Sequence, residues 1–224
     1  MTAKSAKHNY QKDLEKTIES LVASAARPSL LLHACCGPCS SYVLEYLAKF
    51  FDITIFYYNP NIFPKEEYER RLEELKNLLP RFPAAIQNNV KFVEQNYDPQ
   101  EFLSAIDIKN HPEFADEPEK GERCRRCYKF RLKKAYEYAS IYNFEYFCTT
   151  LSISPFKDAE KINIIGIELC NSKNPKWLFS DFKKKGGFKR SLELSEEYNL
   201  YRQQYCGCVY SKINTEKFRA EHKS

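Results

Sequence analysis

The sequence predicts an α/β protein, a doubly wound, mainly parallel sheet of Rossmann-like or HUP-like type with helical additions. Short, continuously apolar runs alternate with stretches of helical spacing in a β-α-β-α-β-α rhythm through the N-terminal half. The 224 residues suit one domain with elaborations, at roughly 150 residues per domain. A hydrophobic content of 43% with 15% aromatics excludes disorder, and no apolar run approaches the ~18 residues of a membrane span. We expect one domain over 1–224, with an N-terminal helical extension (1–28), a helical insertion (109–144) and a basic loop, helix and cysteine-bearing segment (173–211). The opening MTAKSAKHNYQKD has no apolar core of a secretory signal, so a cytoplasmic, membrane-free protein is expected.

In order, Leu14, Ile18, Leu21 and Val22 mark an amphipathic helix over 9–26, closed by Arg27-Pro28. SLLLHA (29–34) reads as a buried strand, and CCGPCSS leads from it into a helix carrying Val43, Leu44 and Leu47. DITIFYY (52–58) is a second strand, stopped by Asn59-Pro60-Asn61. Pro64 opens a charged helix whose acids fill its first turn, as the helix dipole prefers. VKFVEQ (90–95) is a third strand, and Asp98-Pro99 starts a short helix. The Pro-rich 109–123 leads to a helix over 124–142, YFCTT (146–150) is a fourth strand, and Asp158 to Asn171 is helical. After Trp177-Leu178-Phe179 come a loop, a helix to about Tyr201, and a cysteine-bearing tail.

Nine cysteines in a chain expected to stay reduced point to metal or redox chemistry rather than a disulfide framework. Seven are clustered: Cys35, Cys36 and Cys39; Cys124 and Cys127; Cys206 and Cys208. The first group falls at the carboxyl end of the first strand, where open α/β sheets bind ligands and helix N-termini stabilise thiolates. Cys124 and Cys127 form a CxxC opening a helix, and with Cys35 and Cys36 they supply four thiolates, which suits zinc or a [4Fe–4S] cluster. An adjacent pair beside CxxC is unusual for a zinc ribbon, which favours the cluster. A disulfide within Cys206-Gly207-Cys208 would close a strained ring, so this pair reads as reactive or metal-bound. Cys148 and Cys170 read as small hydrophobes. Cys36-Gly37-Pro38-Cys39 matches the CGPC of thioredoxin, but Cys35, the chain length and two further cysteine pairs do not fit that fold. Two basic segments, 120–134 at net +7 and 173–202 at net +4, suit phosphate contacts around such a site.

The strings LLLHACCGPCS, FYYNPNIFPKEEYERR, ERCRRCYKFRL, TTLSISPFKD, DFKKKGGFKRSLELS and YRQQYCGCVYS, in this order from Leu30 to Ser211, resemble the cobalamin-independent epoxyqueuosine reductases. The resemblance implies reductive deoxygenation of epoxyqueuosine to queuosine at the wobble position of tRNA. It implies a [4Fe–4S] cluster on Cys35, Cys36, Cys124 and Cys127. Cys206 and Cys208 would be a redox-active disulfide or ligands of an adjacent mononuclear iron, with Cys39 as a third ligand; these three are the expected catalytic residues. Phe63 stands where similar sequences often carry His. Candidate substrate or proton contacts are Tyr58, Asn59, Asn61, Ser152, Ser154 and Asp158. Tyr57, Tyr58 and Phe156 are candidate stacking surfaces for a splayed base. Arg125, Arg126, Lys183, Lys184, Lys185, Lys189 and Arg190 are candidate tRNA phosphate contacts. The partners implied are tRNA and an electron donor. The competing readings are a thioredoxin-like thiol oxidoreductase and a zinc-stabilised RNA-binding module.

Overall fold

The computed structural model of the protein describes residues 8–170 and 174–222. Asn171, the expected end of one helix, and Lys173, the expected start of the second basic segment, lie outside the described residues, as does 1–7 of the N-terminal extension. Five strands, β1 (Ser29–Ala34), β2 (Asp52–Tyr57), β3 (Lys91–Glu94), β4 (Tyr146–Thr149) and β5 (Lys176–Trp177), form one sheet in the order β3-β2-β1-β4-β5. Every neighbouring pair is parallel. The chain steps outward from β1 to β3, then returns to the other side of β1 to lay down β4. The loops leaving β1 and β4 therefore part in opposite directions and open a crevice at the carboxyl edge.

β1 is buried along Leu30–Ala34 because helices cover both faces of the sheet, which is why its sequence is apolar without alternation. The helices are α1 (Tyr10–Ala23), α2 (Gly37–Leu47), α3 (Lys65–Leu78), α4 (Pro83–Gln87), α5 (Pro99–Ile106), α6 (Glu122–Ile141), α7 (Ala159–Leu169), α8 (Gly187–Glu197) and α9 (Val209–Glu221). Asp98 caps α5 by accepting from the Gln100 amide at 2.9 Å, and Asp158 caps α7 by accepting from the Glu160 and Lys161 amides. α2 packs on α8 and α3, while α6 packs on α5 and α7. Among the described residues no helix is long and apolar enough to cross a membrane.

Three elements exceed the sequence expectation. α4 is five residues long and opened by proline, α9 buries only Ser211 and so shows no apolar stripe, and β5 is two residues long. What holds β5 is a side-chain hub. Buried Asn163 accepts from the Trp177 indole at 2.9 Å and from the Ser180 amide at 3.1 Å, and donates to the Ser180 carbonyl at 2.8 Å. The indole so fixed lies flat on Gly166 of α7, where an added Cβ would sit 2.2 Å from the ring.

Gly166→Ala tests this contact. Alanine in place of glycine favours the helix by about 1 kcal/mol, while forcing a clamped ring aside costs about 1–3 kcal/mol or more. A net loss of about 1–2 kcal/mol is expected, read as a lower urea midpoint with an unchanged slope.

Candidate metal and substrate site

β1 ends at Ala34, and the next two residues turn into α2, so Cys35 and Cys36 stand at the crevice and Cys39 follows one helical turn on. The three sulfurs lie within 4.8 Å of one another and could hold a metal ion. Cys35 and Cys36 Sγ are 3.8 Å apart. The Cys35 thiol is held well below its ordinary value by hydrogen bonds from Cys36 and Cys39, with Arg131 and Arg71 assisting against burial. Burial pushes Cys36 up to about 12, and the bond it gives Cys35 adds to this. Cys35 is thus the most readily ionised of the three, and a bound cation would displace thiol protons.

The second group comes from the first turns of α6 and the loop before α9. Cys127 and Cys208 pack with Phe102 and Ile106 in a small apolar cluster. Burial drives the Cys127 thiol up to about 11. Cys206 goes the other way, held down by the Cys208 thiol and by Lys157, whose Nζ lies 2.9 Å from its sulfur. Burial opposes charge on Lys157, yet Cys206, Tyr128 and Glu119 around it raise its pKa well above the ordinary lysine value.

Two arginines and a glutamine tie the groups together. Arg131, one turn along α6 from Cys127, donates to Asn59 Oδ1 at 2.6 Å and approaches Cys127 Sγ at 4.0 Å, and its charge acts on Cys35 and Cys206 as well. Arg71 of α3 donates to Glu67 and to the carbonyls of Tyr205 and Cys206. Gln203 Nε2 donates to Cys36 Sγ at 3.1 Å. Gly207 adopts φ +126°, a backbone only glycine takes readily, and its carbonyl accepts from the Phe63 amide at 2.8 Å. Cys35, Cys36 and Cys39 thus follow the carboxyl end of β1, Cys124 and Cys127 stand in the first turns of α6, and Cys206 and Cys208 directly precede α9. By distance, however, Cys39 stands with Cys35 and Cys36, and Cys127 packs beside Cys208, a grouping the spacing alone did not suggest.

A cavity of about 230 Å³ opens between the groups, lined by Cys35, Cys39 and Cys206 together with Lys157 and Asn61. Ser154 also lines it, and Phe156 stands at its wall with 67% of its surface exposed, as a stacking platform requires. Other expected contacts are turned elsewhere. The Tyr58 hydroxyl is spent on Glu101, and the Tyr57 hydroxyl on the Tyr68 carbonyl. Asn59 is buried between the Ala34 carbonyl and Arg131. Ser152 is enclosed with Ser180 and the Phe182 amide, and Asp158 caps α7. Each of these five side chains bonds the backbone or a neighbouring side chain where it sits. Cys148 is fully buried in the core, and Cys170 leans on the Gly166 carbonyl at 3.3 Å.

Most of the expected phosphate contacts already hold acids. Arg125 and Arg126 pair with Glu122, Lys183 with Asp181, Lys185 with Glu15, and Arg190 with Glu45. Lys184 and Lys189 are exposed and have no ion pair among the described residues. Sequence reasoning missed Lys157, Arg131, Arg71 and Gln203 as site residues. They sit inside SISPFKD, ERCRRCYKFRL, YERR and YRQQYCGC, and their sharing those strings with the cysteines was the available signal.

An all-sulfur donor set next to buried cations fits a thiophilic metal and does not fit a hard, oxygen-seeking ion. Fold and site together define a doubly wound α/β protein with a cysteine-based centre at the topological switch point. The chain matches the family model described as "Epoxyqueuosine reductase QueH" over residues 30–214. It is 42% identical over 205 residues to the "Epoxyqueuosine reductase QueH" of Streptococcus pyogenes serotype M1, covering 92% of this chain and 78% of that one. Its identity to the protein of the same name from Staphylococcus epidermidis is 40% over 210 residues, covering 94% and 87%. For that of Haemophilus influenzae it is 37%, covering 98% and 86%. The chain belongs to the epoxyqueuosine reductase QueH family.

Beneath Cys35, His33 is wholly enclosed, with Nδ1 2.7 Å from Thr149 Oγ1 and Nε2 3.2 Å from the Tyr58 carbonyl. Burial, reinforced by Arg131, lowers its pKa from 6.5 to about 3. The unfolded chain then binds a proton that the folded one refuses. His33 thus supports folding above pH 6.5, and that support is lost as pH falls from 6.5 toward 3, at about 1.4 kcal/mol per pH unit. Urea titrations at pH 6.5 and 5 should show a loss of about 2 kcal/mol that His33→Gln, whatever its own stability, largely lacks.

Proposed function

We propose that this chain is an epoxyqueuosine reductase acting on tRNA, with a [4Fe–4S] cluster held by Cys35, Cys36, Cys124 and Cys127. Cys206, Cys208 and Cys39 are the redox thiols, or the ligands of an adjacent iron. The observation that supports this reading best is the convergence of Cys35, Cys39, Cys206 and Lys157 on one cavity that has an exposed aromatic ring in its wall. In the reaction both C–O bonds of the epoxide break and a C=C bond forms. The oxygen leaves as water after taking up two electrons and two protons. When bound, the cluster supplies electrons singly, and an adjacent iron supplies a Lewis acid for the oxygen.

The chain's own residues meet the remaining demands. Lys157 Nζ holds a proton at the cavity wall, kept there by the Cys206 thiolate and Glu119. Lys157 and the cysteines of this wall are largely buried, which strengthens each charge interaction among them. Phe156 offers a ring on which the extruded wobble base stacks. Lys184 and Lys189, exposed and without acidic partners among the described residues, are the strongest phosphate contacts of the basic loop and α8; the paired cations beside them must first give up an acid.

Anaerobically purified protein should be brown and carry about four or five irons per chain. It should convert epoxyqueuosine to queuosine in tRNA when given a low-potential reductant. Cys206→Ser should abolish turnover with the visible absorption intact; full turnover by that variant would remove the role given to Cys206. A colourless protein with a single zinc, indifferent to the modification, would overturn the reductase reading.

Replacing both Lys184 and Lys189 by Glu should weaken tRNA binding and reduce the slope of log affinity against log salt by about 1–2. The same pair of changes on Lys183 and Lys185, already neutralised by acids, should do less.

A further inference from the structure

A nucleotide that swings out of a loop into a protein cavity takes its base inside and leaves its flanking phosphates at the rim, because the rotation is about the backbone. Such a cavity needs an accessible cation at its mouth as well as a stacking ring. Among the described residues, three cationic side chains line the cavity that holds Cys35, Cys39 and Cys206: Arg131, Lys157 and Arg202. Arg131 and Lys157 are 2% and 7% exposed and are taken up by thiols, Asn59 and Glu119. Arg202 is exposed. Its Nη1 donates to the Ser195 hydroxyl at 3.0 Å and to the Ser191 carbonyl at 3.3 Å, both from buried residues of α8. The guanidinium carbon lies 5.8 Å from the centre of the Phe188 ring. Nε and Nη2 have no hydrogen-bond partner, and the side chain no ion pair, among the described residues.

The backbone that carries Arg202 is fixed as well. The Tyr201 amide donates to Glu74 at 2.8 Å, Gln203 Nε2 lies 3.1 Å from Cys36 Sγ, and the Tyr205 and Cys206 carbonyls accept from Arg71. Arg202 is therefore ordered before any ligand arrives, which lowers the entropy lost on binding. The carboxylate of the cavity wall, Glu119, does not neutralise it, since it accepts from the Ser211 hydroxyl and pairs with Lys157.

Resting on the epoxyqueuosine reading, we propose that Arg202 clamps a phosphate flanking the wobble nucleotide and so positions the base that Phe156 stacks. The planar guanidinium presents parallel N–H donors that match two phosphate oxygens, which a lysine ammonium does not. Lys184 and Lys189 attract the RNA backbone at large, whereas Arg202 acts on the nucleotide that reacts.

The test uses the anaerobic holoenzyme and anticodon stem-loops with epoxyqueuosine or guanosine at the wobble position. Arg202→Gln should weaken both complexes about tenfold, reduce the slope of log affinity against log salt by about 1, and keep the visible absorption of the cluster. Arg202→Lys, which keeps the charge, should restore the slope but only part of the affinity. Stem-loops with a neutral methylphosphonate on the 5′ or the 3′ side of the wobble nucleotide locate the contact. On one side the wild-type protein should lose about tenfold, and Arg202→Gln should lose nothing further. Unchanged binding by Arg202→Gln, weakening confined to the epoxyqueuosine stem-loop, or additive losses on both sides overturns the phosphate clamp while leaving the reductase reading intact. A wild-type protein that binds both stem-loops but, given a low-potential reductant, does not convert epoxyqueuosine overturns the reading beneath it.

Discussion

The site rests on a charge constraint. Arg71, Arg131 and Lys157 are 1%, 2% and 7% exposed, and a buried cation is tolerable only beside an anion. The carboxylates in contact with them are Glu67 on Arg71 and Glu119 near Lys157, while Arg131 faces an amide and a thiol. The missing negative charge has to come from sulfur. It does so where Cys35 and Cys206 are held down as thiolates by neighbouring thiols and by these cations. The fold and the chemistry thus support one another: the cations keep the thiolates ionised in a dry interior, and the thiolates keep the cations from costing several kcal/mol each.

This dependence explains why distant stretches of chain are fastened so firmly around the crevice. Arg71 reaches from α3 to the carbonyls of Tyr205 and Cys206, and the Tyr205 hydroxyl returns to the Phe63 carbonyl. A Cβ at Gly207 would meet Arg71 Nη1 and Ile62 at 3.1 Å, so glycine there lets the cysteine loop close onto the loop after β2. The parallel sheet supplies only the starting point, a crevice where β1 and β4 part. The arginines supply its geometry.

Legibility in the sequence followed the same division. β1, β2 and β4 were readable because burial on both faces leaves continuous apolar runs, and α7 because Asp158 signals its start. β5 was not, because two residues held by Asn163 and Trp177 carry no periodicity, and α9 was not, because it buries almost nothing. The cysteines were readable because clustering is itself a signal. Of the buried cations, Arg131 was hidden inside a basic run whose plain reading is a solvated or RNA-facing surface, while Arg71 and Lys157 stood in a charged helix and a loop that gave no sign of burial. Arg123 shows the limit well: within that run it is buried and spends its guanidinium on the carbonyls of Phe114, Ala115 and Glu117. Whether a basic side chain faces water, a carbonyl or a thiolate depends on tertiary neighbours that no local pattern encodes.

The thiols also divide by the medium they face. Cys35, Cys39 and Cys206 line the cavity, with Lys157, Asn61 and Gln203 beside them. Cys127 and Cys208 lie against Phe102 and Ile106, with Leu103, Ile108, Phe130 and Tyr210 packed around. The apolar side lowers the local dielectric and disfavours charge on Cys127, whereas the polar side holds protons and donors where a substrate enters. A reaction that needs electrons, protons and the exclusion of water at one bond benefits from this separation, because protons are held at the polar wall while the sulfurs behind it stay dry. The two-residue step in the CxC places Cys206 on one side and Cys208 on the other, and Gly207 is the hinge residue that permits it.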